Sequence, residues 1–102
     1  MSLPRLRPQA VVQVRSIVDL HWRDWGETSV VLESRSGQIH ECDPLSAAVM
    51  ACVEDNPASA AEIARVLASD VTLEADVEFE QQVADILQHF LQLGWIEPLS
   101  RT

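Results

Sequence analysis

The sequence predicts an α+β domain in which a three-stranded antiparallel sheet is followed by three helices, with a winged-helix-like helical half. Three observations carry this. Apolar residues recur every second position between residues 18 and 42, then every third or fourth position from residue 45 onward. Turn and cap residues fall at the seams between those segments. The chain has 102 residues, the length of one domain, and its 47% hydrophobic content is ordinary for a globular core.

Residues 1–16 read as a flexible N-terminal arm. Pro4 and Pro8 interrupt it, and Arg5, Arg7 and Arg15 keep it solvated. Residues 17–99 are expected to form the folded domain. In its first strand Val18, Leu20 and Trp22 alternate with Asp19, His21 and Arg23, the pattern of a half-buried strand. Trp25-Gly26-Glu27 makes a turn. The β-branched run Thr28–Ser34 is the second strand, with Val30 and Leu32 on one face. Gly37 supplies the positive φ of the next tight turn, and Gln38–Cys42 is a short third strand.

Asp43-Pro44 begins the first helix, because Asp caps and Pro suits the first helical position. Leu45, Ala48, Val49, Cys52 and Val53 share one apolar face. Ser59-Ala60-Ala61-Glu62 is a capping box that opens a second helix, with Ala60, Ile63, Ala64 and Leu67 facing inward. Residues 68–76 read as a polar linker. The third helix spans about 76–93 and carries the stripe Phe79, Val83, Ile86, Leu87 and Phe90, with Gly94 placed to end it. Residues 95–99 are expected to return to the sheet as a last extended piece.

Charge narrows the function classes. The formal net charge is −9, every basic residue is Arg, and the 16 acids all follow residue 18. From residue 66 to residue 100 there is no Lys or Arg, while Glu78, Glu80 and Asp85 mark the surface of the third helix. A phosphate backbone is repelled by such a face, so a winged-helix DNA-binding regulator is the weaker alternative and no nucleic-acid partner is expected. No apolar run reaches the length of a membrane span, and residues 1–16 lack the uninterrupted apolar core of a secretory signal. A cytoplasmic location with reduced thiols is therefore the expectation.

The segment Ser36–Pro44 holds His40, Cys42 and Asp43 within four positions. His40 and Cys42 point to the same face of a strand, as two metal ligands would. Zinc needs three or four protein ligands, and nothing nearby in sequence supplies the rest. A Cys-His nucleophile pair needs a third group to orient the base, and acidic surroundings raise a thiol pKa. Both residues are better read as the packed side of the strand. No catalytic residue, metal or cofactor is expected.

The ordered run Trp22, Trp25-Gly26-Glu27, Val30-Val31, Ser36-Gly37, His40, Asp43-Pro44 and Ala47–Met50 resembles the PqqD-like family. Its continuation through Asn56-Pro57, Glu62-Ile63-Ala64, Leu67, Leu91 and Leu93–Glu97 does so too. The resemblance covers about residues 18–98 and is nearest to the subgroup of HPr-kinase-related (HPr-rel-A) gene systems. Cys42 and Trp95 depart from the Leu or Ile that relatives often carry there. The family consists of small peptide chaperones, also called RiPP recognition elements, that capture a precursor's leader peptide and present it to a modifying enzyme. The resemblance thus implies a non-enzymatic peptide-binding role. It implies partners in a leader peptide and a modifying enzyme, such as an HPr-kinase-related protein of the same gene system. It also implies docking along the third strand, against the third helix.

Carried onto this chain, the strand is Gln38, Ile39, His40, Glu41 and Cys42, whose backbone would pair with the peptide. Helical spacing offers two flanks of the third helix as the opposite wall. One is Gln82, Ile86, His89 and Leu93, and the other is Glu80, Ala84, Leu87 and Leu91. The first is taken as the groove wall. An open strand edge also leaves a monomer, a dimer or a purely structural oligomer as readings.

Overall fold

The computed structural model describes residues 5–70 and 76–99. Nine elements follow in chain order: β1 (Val11–Val14), β2 (Leu20–Trp25), β3 (Thr28–Glu33), β4 (Gln38–Cys42), α1 (Pro44–Asp55), β5 (Ala58–Ser59), α2 (Ala60–Asp70), α3 (Val77–Leu93) and β6 (Ile96–Pro98). The expected meander is β2-β3-β4, antiparallel throughout, and the three helices follow it. A second antiparallel sheet, ordered β5-β1-β6, joins the chain's beginning to its end.

That second sheet corrects two expectations. Within the span read as a flexible arm, Val11–Val14 form β1, the central strand of the second sheet. Val12 is wholly buried, opposite both Ala58 and Pro98. Burying a Val side chain is worth about 1.5–3 kcal/mol, and this is gained without desolvating Arg5 and Arg7, which stay exposed. The residues after Gly94 return as β6 to β1, and not to the meander. The register Val14↔Ile96, Gln13↔Glu97 and Val12↔Pro98 puts Ile96 in the core.

Local chemistry sets the helix ends as the sequence suggests. The Asp43 carboxylate accepts the Ser46 N–H at 2.7 Å, with Pro44 in the first helical position. Ser59 and Glu62 form the reciprocal capping box, each backbone N–H donating to the other's side chain at 3.2 Å. Asp76 caps α3 through the Phe79 N–H at 2.7 Å. Gly94 ends α3 in the left-handed region, φ 81°, where a Cβ would cost about 1–2 kcal/mol. Part of the stretch read as a linker is helical, since α2 continues through Asp70, and residues 71–75 lie outside the described residues.

The core lies between the inner face of the meander, the second sheet and the helices. Val49, Met50 and Val53 of α1, Ile63 and Ala64 of α2, and Val83, Leu87 and Phe90 of α3 fill it, with Trp95 its largest buried side chain. On β3 the buried positions are Val31 and Glu33. Val30 and Leu32 do share a face, but it is the outer one. Trp22 ties the meander to α1, its indole N–H donating to Glu54 at 2.7 Å.

Candidate peptide groove

β4 is the last strand of the meander and, among the described residues, pairs on one side only, with β3 (Val31↔His40, Leu32↔Ile39). Gly37, at φ 75°, turns the chain into it. Asp43-Pro44 turns the chain out into α1. Its residues alternate as the period-two rule requires. Cys42 is buried and His40 half-buried on the inner face, while Ile39 is 69% exposed on the outer face.

α3 runs alongside, so that its C-terminal turn meets the start of β4. A cleft of about 150 Å³ lies between them, lined by His40, Glu41, Cys42, Asp43, Ser46, His89, Phe90 and Leu93. It adjoins a second cleft of about 370 Å³, lined by Gln82, Asp85, Ile86 and His89 together with Asp43, Leu45 and Ser46. A third, of about 270 Å³, lies at the start of β4 between Arg35, Ser36 and Gln38 on one side and Leu93, Gly94 and Trp95 on the other.

Gln82, Ile86, His89 and Leu93 therefore all face the clefts beside β4. Of the other flank, Ala84 and Leu87 are buried in the core. Gln38, His40, Glu41 and Cys42 line the clefts as well. Ile39 does not. Its side chain lies with His21, Arg23, Trp25, Val30 and Leu32 on the opposite face of the meander, where Trp25 is 70% exposed. Sequence reasoning missed Arg35, Asp43 and Asp85 as groove-lining residues. Arg35 and Asp43 stand just beyond strand ends, where no periodicity reaches, whereas Asp85 lies three residues after Gln82 and four before His89, so helical spacing could have found it.

The groove floor is aromatic. Trp95 stacks on Phe90 with ring centroids 5.4 Å apart and planes 15° apart. His40 meets Trp95 edge to face at 5.1 Å and 83°. Neither the Trp95 indole nitrogen nor His40 Nε2 finds a hydrogen-bond partner among the described residues.

Thiol chemistry is disfavoured at this site. Burial pushes the Cys42 thiol up, and the Asp43 carboxylate pushes it further. Cys52 is raised likewise, by burial and then by Asp70 and Asp55. The sequence reading named acidic neighbours as the cause, but desolvation is the larger effect. Among the described residues, no group of three or more His, Cys, Asp or Glu side chains is placed to hold a metal ion.

Glu33 holds the hairpin that launches β4. Its carboxylate is buried, accepting the Asp19 N–H at 2.9 Å and the Ser36 N–H at 2.8 Å. The Asp19 N–H is the largest cause of its low pKa, brought from an ordinary 4.5 to about 2. Desolvation opposes this, and the Ser36 donors add to it. A depressed carboxylate pKa stabilises the fold fully above the unfolded value and loses that contribution as pH falls through the folded one. The window here runs from about 4.5 down to about 2. Glu33→Gln is therefore expected to unfold at lower urea than the parent at pH 7. The gap between the two midpoints should close as pH falls through that window. A gap that stays constant with pH would assign the loss to something other than this carboxylate.

No protein-family model matches the chain, and no curated protein does. Two solved structures share its fold. One is TbiB1 in complex with the TbiA(beta) leader peptide, with TM-score 0.65 and 13% identity, covering 87% of this chain and 99% of that one. The other is the PqqD truncation of Methylobacterium extorquens PqqCD, described as a functional, stand-alone RiPP recognition element. Its TM-score is 0.65 at 20% identity, covering 90% of this chain and 99% of that one.

Proposed function

We propose that this protein is a non-enzymatic recognition element that binds the leader segment of a precursor peptide and presents it to a separate modifying enzyme. The observation that carries the reading is the unpaired edge of β4 facing a trough walled by α3. A peptide laid there as an added strand gains backbone hydrogen bonds from the edge and side-chain contacts from Leu93, Ile86 and the aromatic floor. Antiparallel addition continues the pattern of the meander and is the better-bonded choice. TbiB1, which shares the fold, binds a leader peptide, and this supports the same role here.

The competing DNA-binding role is disfavoured by the surface of α3. It offers Glu78, Glu80 and Asp85 and no Lys or Arg, the wrong sign for phosphate. The raised thiols disfavour nucleophilic catalysis. No helix among the described residues is long and apolar enough to cross a membrane, and a cytoplasmic site of action fits the two free cysteines. The sequence resemblance makes an HPr-kinase-related protein the first enzyme to try as partner.

Calorimetric titration with the N-terminal segment of a short precursor encoded beside the protein tests the reading. Saturable binding at micromolar concentration is expected, with amide shifts concentrated in residues 38–42 and 82–93. Folded protein that gives no heat, or shifts confined to the outer face around Trp25 and Ile39, would count against it.

A further inference from the structure

The three clefts beside β4 share walls. Leu93 belongs to the first and second, and Asp43, Ser46 and His89 belong to the second and third, counted from the start of β4. They form one trough, and its two ends differ in charge. At the start of β4 the trough is lined by Arg35, and Arg15 lies beside it, donating to the Gly94 carbonyl at 3.4 Å. Glu33 also lines that end as a carboxylate held by two backbone N–H groups, and Arg15 and Arg35 together outweigh its single charge, so the end stays net positive. At the far end the trough is lined by Asp43 and Asp85.

Resting on the groove reading above, we infer that the trough selects its guest by charge order: a strand with a basic side chain toward its N-terminal end and an acidic one toward its C-terminal end. The direction follows from the sheet. β4 runs from the arginine end to the aspartate end, so an antiparallel guest enters with its N-terminal half at Asp85 and leaves past Arg35. At about 3.4 Å per residue along an extended chain, roughly five to eight residues separate the two charges of such a guest. Opposite charges at the two ends give direction and register more than raw affinity, and a guest of reversed order meets like charge at both ends.

A second observation identifies what the aspartate end takes. The chain's own Arg5 guanidinium pairs with Asp85, which Gln81 also holds at 3.0 Å. Asp85 is thus already presented as a guanidinium acceptor. The Arg5 side chain is 68% exposed and that of Asp85 54%. Such an exposed pair contributes little net stability, so a guest arginine or lysine replaces Arg5 at little cost.

Selection of a display library of random dodecapeptides, on the parent and on a doubly reversed variant (Arg35→Glu with Asp85→Lys), tests the inference. Both substituted residues are exposed, and an unfolding midpoint close to that of the parent is the control for folding of the variant. The parent should enrich peptides with the basic residue before the acidic one. A synthetic peptide of that order should bind about tenfold tighter than its charge-exchanged isomer, the equivalent of about 1.4 kcal/mol. The doubly reversed variant should lose that preference, and Arg5→Ala should strengthen binding of the basic-first peptide. Enriched peptides that protect the amides of residues 38–42 but show no charge order, or an order the reversal leaves unchanged, overturn the inference and leave the groove standing. An absence of any enriched peptide that protects those amides overturns both.

Discussion

Trp95→Ala is expected to cost about 3–5 kcal/mol of folding free energy, the range for truncating a large aromatic in a packed core. Trp95 is 1% exposed and is the largest fully buried side chain among the described residues. It stacks on Phe90 of α3 and meets His40 of β4 edge to face, so it joins the two walls of the groove. Its neighbour Ile96 continues into β6, which pairs with β1. Truncation therefore loosens both sheets against α3. Domains of this size hold only about 5–15 kcal/mol in total, so the variant should unfold at much lower urea. Trp95→Phe is the informative companion. It keeps an aromatic ring against Phe90 and removes an indole N–H that has no partner among the described residues. An unpaired buried donor costs about 1–3 kcal/mol, which offsets most of the lost ring area. Trp95→Phe should thus lie within about 1 kcal/mol of the parent. A loss in Trp95→Phe well above about 1 kcal/mol would show that the indole nitrogen is satisfied.

The outcome bears on how much of this protein was legible in its sequence. The meander and helices were legible because each is a local pattern with local punctuation: alternation from Val18 to Cys42, the Asp43 cap, the Ser59–Glu62 box and Gly94. The second sheet was not, because its strands hold four, two and three residues and lie far apart in sequence. A run as short as Val-Val-Gln-Val has no period to read. Its strand character comes from partners at Ala58–Ser59 and Ile96–Pro98, which only folding supplies. The groove flank Gln82, Ile86, His89 and Leu93 was one of two choices by helical spacing. What separates them is burial, since Ala84 and Leu87 lie in the core while Gln82 and His89 stay exposed. Ile39 illustrates the converse. Its strand was identified correctly, yet the pleat sends its side chain to the outer face. A strand that offers its backbone to a ligand still turns alternate side chains away from it.

That separation of faces makes the sharpest test of the site. If the proposed function holds, Leu93→Asp is expected to weaken binding of the peptide about a hundredfold, or about 2.7 kcal/mol, while Ile39→Asp leaves it within about twofold. Leu93 lines two of the three adjoining clefts and is half-buried at the point where α3 lies nearest the start of β4. A carboxylate there puts a charge against whatever apolar side chain the guest strand inserts. Burying that charge without a partner is what the loss measures. Arg15 and Arg35 stand near the same end and soften the penalty, so the expected effect is set below that of a fully enclosed charge. Ile39→Asp introduces the same carboxylate at a position 69% exposed to water, on the face that carries Trp25 and Leu32. Leu93 packs on the rim of the core in the last turn of α3, where a carboxylate meets the helix C-terminus, so Leu93→Asp should lower the unfolding midpoint modestly and still leave the protein folded under the conditions of the titration. Calorimetry and urea denaturation on the pair then separate a lost contact from a lost fold. If Ile39→Asp abolishes binding and Leu93→Asp does not, the peptide lies on the outer face of the meander, and the trough beside β4 serves some other purpose.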